Sequence, residues 1–335
     1  ECLAARERVA LFDMTSFGKF EVSGPGALGL LQRVACNNID RPVGSLVYTQ
    51  FLNARGGIES DLTVCRLATD RFRVITGTSF LSNDLEWVRS HAPADGSVEI
   101  RDVTDDFACI GMWGPNARDT LAQATGDDLS NDAFPYLTAR QLTVAGKPAW
   151  VQRVSYIGEL GWELYLANTD AGAVWDALLE LGQAHGIRPA GYKALDSLRL
   201  EKGYVYWSTD VTPEDNLLEA GLGFCADMAK GDFIGRDALA KRKADGLQTR
   251  LRTVVLEGNA LPAYGAESVW HDGKIVSRLR SAGHAHTIDK SIAYCYLPLP
   301  LAKPGTRVEI ELFGERVPAT VALPIHDPKS ARLKA

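Results

Sequence analysis

The stretch Asn53-Ala-Arg-Gly-Gly-Ile-Glu-Ser-Asp61 runs straight into Leu62-Thr-Val-Cys-Arg66, and its reading decides the fold. A glycine pair reaches backbone conformations closed to other residues, so Gly56 and Gly57 mark a tight turn. Strand-like segments lie on both sides, Ser45 to Leu52 before the turn and Leu62 to Leu67 after it. Asp61 is then expected at the mouth of the second strand. Regular structure holds an acid or base more stiffly than a free loop does. The same residues also fit a plain solvated turn with an exposed aspartate.

Working outward, residues 19–23 alternate as a half-buried strand does, and Ala27 to Ala35 forms an amphipathic helix. Residues 1–12 read as a short helix. Phe72 to Thr76, Phe107 to Gly111 and Trp162 to Leu166 read as strands, and Asp84 to Ser90, Ala117 to Ala124, Ala173 to Gln183 and Tyr192 to Leu200 as helices. Ala145-Gly-Lys-Pro148 reads as a hairpin turn between Leu142 to Val144 and Trp150 to Val154. A charged, strand-poor stretch, Arg236 to Arg250, precedes a last part with short strands at 252–256, 267–271, 274–279, 307–312 and 316–322. These features predict an α+β body with antiparallel sheets over residues 1–245 and a small barrel-like β domain over residues 251–335.

At 335 residues the chain can build two or three cores. Apolar residues make up 46% and charged residues 23%, as in ordinary globular proteins. A net charge of −6 argues against a nucleic-acid partner, and no apolar run is long enough to span a bilayer. The six cysteines are scattered among apolar residues without a CxxC, which reads as reduced, buried thiols in a reducing compartment. That points to a cytoplasmic protein, or to the mitochondrial matrix in a eukaryote. His284-Ala-His286 is too small a set for a structural metal site. The chain opens without Met inside a helix-like segment, as a processed chain or a piece of a longer one would.

Gly24-Pro-Gly-Ala-Leu-Gly29 matches a dinucleotide fingerprint. No parallel βαβ continuation follows it, and no acidic residue ends a second strand at the right distance. It reads as a strand-to-helix turn. A second glycine-bracketed turn, Tyr156-Ile-Gly-Glu-Leu-Gly-Trp-Glu163, leads into a strand that carries Glu163 between Trp162 and Leu164. A mid-strand carboxylate is costly to bury unless something pairs with it. The plain alternative is a solvent-facing glutamate.

Taken together, Leu11-Phe-Asp-Met-Thr-Ser-Phe-Gly-Lys19, Gly56-Gly-Ile-Glu-Ser-Asp-Leu-Thr-Val64, Tyr156 to Glu163, Ser197-Leu-Arg-Leu-Glu-Lys-Gly-Tyr204 and Lys230-Gly-Asp-Phe-Ile-Gly-Arg236 resemble the aminomethyltransferase (glycine-cleavage T-protein) family. The chain looks closest to the folate-binding C-terminal half of dimethylglycine and sarcosine dehydrogenases or oxidases. The resemblance covers nearly the whole chain. It implies a three-lobed, cloverleaf-like body that binds tetrahydrofolate and transfers a one-carbon unit to it from an amine donor. It places Asp61 on the catalytic aspartate, Glu163 on the pterin-binding glutamate and Tyr156 on a tyrosine of the same pocket. Gly56 and Gly57 would then leave room for the flat ring system.

The chemistry suits those residue types. One ionised carboxylate can accept two neighbouring N–H groups of a pterin edge. A second can take the proton and stabilise the charge that build up on an attacking amine. The resemblance also has gaps. Leu195 stands where true T-proteins carry a folate-assisting arginine. No flavin-binding segment is present, so a methylamine or iminium donor would come from a fused or separate flavin oxidase or dehydrogenase. Glycine-cleavage T-protein activity is one alternative. Another is a non-enzymatic folate-binding protein that supports iron–sulfur enzymes; its relatives carry a cysteine where this chain has Asp232.

Overall fold

A computed structural model describes residues 1–258, 262–324 and 333. The body has helices Cys2–Glu7 (α1), Ala27–Val34 (α2), Leu81–Ser90 (α3), Ala117–Ala124 (α4), Asn168–Leu181 (α5), Tyr192–Lys202 (α6), Leu217–Ala220 (α7) and Arg236–Asp245 (α8). Its strands are Ala10–Asp13 (β1), Gly18–Ser23 (β2), Leu46–Leu52 (β3), Ile58–Ala68 (β4), Arg71–Thr76 (β5), Glu99–Asp102 (β6), Phe107–Trp113 (β7), Ala139–Val144 (β8), Lys147–Gln152 (β9), Gly161–Ala167 (β10) and Arg188–Ala190 (β11). Thr249–Leu256 (β12), Ser268–His271 (β13), Lys274–Ala285 (β14), Lys290–Pro298 (β15), Arg307–Leu312 (β16) and Glu315–Ala322 (β17) close a barrel in the order β12-β15-β14-β13-β16-β17. The α+β body with antiparallel sheets and the C-terminal barrel match the expected fold class.

Several local expectations change. The first helix stops at Glu7, and Ala10–Asp13 is a strand between β7 and β11. Its run Val9-Ala-Leu-Phe12 is buried on both faces, which suits a central strand better than an amphipathic helix. The charged stretch from Arg236 holds helix α8. The turn between β8 and β9 is only Ala145-Gly146, so Lys147 and Pro148 already belong to the strand. Strand β4 starts at Ile58, so Asp61 lies inside it rather than at its mouth. The glycine-rich stretch at residues 24–29 joins β2 to α2 beside antiparallel neighbours, as a strand-to-helix turn.

The first sheet, β3-β4-β5-β2-β6, is antiparallel throughout. The second runs β11-β1-β7-β10-β9-β8, with only the β1–β11 pair parallel. Each sheet packs one apolar face on helices. Val22, Leu62, Val64 and Val74 meet α2 and α3 through Leu31, Val34, Leu85 and Val88. Ile110, Met112, Val151 and Leu164 meet α4 and α5 through Leu121, Val174 and Leu178. Strand alternation turns the next residues the other way. The two remaining faces therefore look at each other. Trp150 Nε1 on β9 reaches Cys65 Sγ on β4 at 3.3 Å, and Arg73 on β5 lies 4.0 Å over the Phe107 ring on β7. Asp61 on β4 and Glu163 on β10 lie on these inward faces.

A buried ion-pair cluster ties α1 to the rest. Arg6 meets Glu159 and Glu201, each at 2.9 Å, and donates to the Ile157 carbonyl at 2.6 Å. It thereby fixes the loop that carries Tyr156.

Candidate active site

Asp61 owes its direction to strand alternation. Ser60 points to the helical side, where its hydroxyl donates to Asp84 Oδ1 on α3 at 2.6 Å. Asp61 points inward. Gln50 of β3 stands directly opposite it, and Gln50 Nε2 donates to Asp61 Oδ1 at 2.7 Å. Gln50 is itself fully buried, with Cys36 Sγ 3.8 Å from its Oε1. Burial pushes the Asp61 carboxyl up to about 6, against hydrogen bonds from Gln50 and the Tyr48 hydroxyl that favour the anion. Near neutral pH it is mostly a carboxylate that can still take a proton.

Glu163 sits in the middle of β10, opposite Gly111 of β7 and Gln152 of β9. It is buried, so the solvent-facing alternative is wrong. Tyr165 donates its hydroxyl to Glu163 Oε2 at 2.7 Å. Burial raises the Glu163 carboxyl to about 7 despite that bond. Oε1 has no donor among the described residues. On the neighbouring strand, both amide atoms of its ladder partner Gln152 are buried without a hydrogen-bond partner among the described residues.

Tyrosines line the ground between the two carboxylates. Tyr136 interacts with Glu163, and Tyr204 with Tyr136. Tyr204 stacks on Tyr156 at 6.3 Å, and Tyr156 interacts with both Asp61 and Tyr48. The Tyr156 hydroxyl donates to the Val205 carbonyl at 2.8 Å. Burial raises all four phenols, Tyr136 to about 12, so they stay neutral across physiological pH. A planar, partly aromatic ligand finds stacking surfaces here. It also finds a bidentate acceptor at one end and a proton acceptor at the other.

The structure therefore brings Asp61, Tyr156 and Glu163 into the interior between the two sheets, but not the glycine pair. A Cβ on Gly57 would lie 1.8 Å from the Pro213 carbonyl oxygen, and one on Gly56 would lie 3.2 Å from Ala238 of α8. The room beside both glycines is taken by the chain's own segments. Gly56 also has φ +81°, so the turn itself demands it. Leu195 is buried in an apolar cluster with Cys2, Ala5, Met14, Ile157 and Leu198. Sequence reading missed Tyr48, Gln50, Tyr136, Gln152 and Tyr204. Of these, Gln50 left a signal, because counting back across the hairpin sets it opposite Asp61.

This arrangement sits in the fold of a known class of one-carbon transferases. The structure superposes on the glycine cleavage system aminomethyltransferase T from Bartonella henselae with a TM-score of 0.87 and 25% identity, covering 98% of this chain and 89% of that one. Residues 1–230 match the GCVT N-terminal domain, and residues 250–326 match the glycine cleavage T-protein C-terminal barrel domain. The chain belongs to the glycine-cleavage T-protein (aminomethyltransferase) family, whose members depend on tetrahydrofolate. It is 37% identical over 333 residues to human mitochondrial dimethylglycine dehydrogenase, covering 98% of this chain but 38% of that protein. It is 34% identical over 308 residues to the aminomethyltransferase of Halothermothrix orenii, covering 92% of this chain and 85% of that one. No helix among the described residues is long and apolar enough to cross a membrane.

Proposed function

We propose that this chain transfers a one-carbon unit from an N-methylated amine, such as dimethylglycine or sarcosine, to tetrahydrofolate, with Asp61 and Glu163 as its working carboxylates. The observation that carries this reading is the pair of inward carboxylates at opposite ends of a tyrosine-lined surface, both poised to titrate near neutrality. The residues suit a pterin, since among the described residues Glu163 Oε1 has no donor and the amide of its ladder partner Gln152 has no partner. Tetrahydrofolate, when bound, supplies the nitrogens that take up the one-carbon unit. Glu163 would accept the paired N–H groups of the pterin edge and fix its orientation. Tyr156, Tyr136 and Tyr204 would flank the rings. Asp61, anchored by Gln50, would accept the proton lost from the attacking nitrogen.

The donor preference draws on the similarity to dimethylglycine dehydrogenase and on Leu195 in place of arginine. On this reading a fused or separate flavin dehydrogenase or oxidase delivers the donor. A glycine-cleavage role is the second reading, favoured by the near full-length match to an aminomethyltransferase. Titration with tetrahydrofolate, followed by tryptophan fluorescence, tests the common core. Saturable quenching is expected, and its absence refutes the reading. Comparing dimethylglycine-derived iminium with an aminomethylated lipoyl donor separates the two roles.

A further inference from the structure

The amide of Gln152 has no partner in a place where polar atoms rarely go without one. Gln152 is fully buried, and neither Nε2 nor Oε1 has a hydrogen bond among the described residues. Each such atom costs roughly 1–3 kcal/mol relative to a satisfied one. The fold could fill this volume with an apolar side chain instead. Gln152 is also the direct ladder partner of Glu163, in register across β9 and β10. Side chains of such a pair have Cβ atoms about 5 Å apart on one face. Glu163 Oε2 is taken by Tyr165, and Oε1 has no donor among the described residues.

We infer that Gln152 is a positioning residue for Glu163, held in reserve to donate from Nε2 to Glu163 Oε1 when a pterin edge draws the glutamate into its ionised form. The inference rests on the folate reading given above. A carboxylate has about four acceptor directions. Tyr165 fills one, two adjacent N–H groups of the ligand fill two more, and the Gln152 amide fills the fourth. In the empty site burial raises Glu163 to about 7, so a neutral form that needs no such donor competes with the anion, and the amide is left without a partner among the described residues. Gln152 does not need to touch the ligand. It acts on the glutamate from behind, and so fixes the carboxylate plane that the ligand reads.

The other groups that face Glu163 do not compete for this role. They are Tyr165 on the same strand, Cys109 on β7 and Tyr136 before β8. Burial raises all three, so each stays neutral between pH 6 and 8. Over that range Glu163 is the titrating member of the group.

The test is a titration of tetrahydrofolate into wild-type, Gln152→Met and Gln152→Leu proteins at pH 6 and pH 8, with melting temperatures of the unliganded proteins. Either apolar variant should melt no lower than wild type, because it removes two unpaired buried atoms. Its Kd should rise about tenfold at pH 8, where the lost bond is to a charged group. At pH 6 both wild type and variant should bind more weakly, because the empty-site Glu163 must first lose its proton, while the loss caused by either variant should stay about tenfold, since the bond is made only in the ionised complex. In a Glu163→Gln background, Gln152→Met should add nothing. An unchanged Kd at pH 8 overturns the inference. So does a raised Kd accompanied by a lowered melting temperature of the unliganded variants, which marks an ordinary structural residue. If wild type fails to bind tetrahydrofolate, the reading of the site falls and this inference with it; if only the Gln152 comparison fails, the folate reading stands.

Discussion

Gln50 and Asp61 face each other across β3 and β4, and the amide of one donates to the carboxylate of the other at 2.7 Å. Burial raises Asp61, while Gln50 and Tyr48 hold it down. Replacing Gln50 with Leu removes a donor to the anion, so the pKa of Asp61 must rise further. The pH–rate curve for one-carbon transfer should therefore keep its shape but move its acid limb above pH 6. The measurement is kcat against pH for wild type and Gln50→Leu. A coincident pair of curves would show that Gln50 does not tune the base.

Asp61→Asn keeps the size of the side chain and removes its basicity. Proton acceptance by a positioned side chain typically contributes about 10²–10⁴ in rate. Methylenetetrahydrofolate formation should slow by a factor in that range. The Kd for tetrahydrofolate should stay within about threefold, because the paired ring contact belongs to Glu163. A large loss of binding with little loss of kcat would reverse the roles assigned to the two carboxylates.

Glu163 carries a sign that can be read without any substrate. Its folded-state pKa, about 7, lies above the ordinary glutamate value, and burial is the main cause. Such a group stabilises the fold fully below its unfolded pKa, and that stability is lost as pH rises through about 7. Glu163→Gln does not titrate. The variant should be more stable than wild type at pH 8, by up to about 3 kcal/mol, and so melt higher, and the gap should close toward pH 5. The same variant should bind tetrahydrofolate more weakly at pH 8. A glutamine that stabilises the fold but weakens the ligand complex marks the carboxylate as functional.

Gly57 belongs to the scaffold. A Cβ there meets the Pro213 carbonyl oxygen at 1.8 Å, and backbone has little freedom to give way. Gly57→Ala should cost roughly 3 kcal/mol or more and lower the melting temperature by several degrees. The folate affinity of the molecules that remain folded should change little. Selective loss of affinity with unchanged melting would return Gly57 to the ligand-binding surface.

Much of the site was legible in order along the chain. Asp61, Tyr156 and Glu163 stand in recognisable motifs, each beside a glycine-bracketed turn. Their local setting was read less well. The strand around Asp61 begins four residues earlier than the pattern suggests, because Ile58 pairs with Leu52 past a bulge. The alternation at Glu163 gave its direction relative to Trp162 and Leu164, yet not its burial. Burial depends on a second sheet that comes from residues far away in sequence. Tyr136 carried no signal of its own, and Tyr204 closed the Ser197–Tyr204 motif with nothing to mark it as facing the site, since a tyrosine in a loop or after a helix looks the same whether or not a ligand lies beside it.

Hydrophobic periodicity and turn chemistry set most of the elements and the α+β-plus-barrel fold class, because those depend on neighbours in the chain, but not the strands Ala10–Asp13, Glu99–Asp102 and Lys290–Pro298 or the helix Arg236–Asp245. Which faces of the two sheets turn toward each other was decided only by tertiary packing. The helices on each outer side bury the apolar faces, and that leaves Asp61 and Gln50 on one inward surface and Glu163 and Gln152 on the other. The raised carboxyls and the unpaired amide follow from that desolvation, which no single strand produces alone. The glycine pair shows the same division. The sequence marked it as a turn, and only the packed structure showed that Pro213 and α8, rather than a ligand, require it.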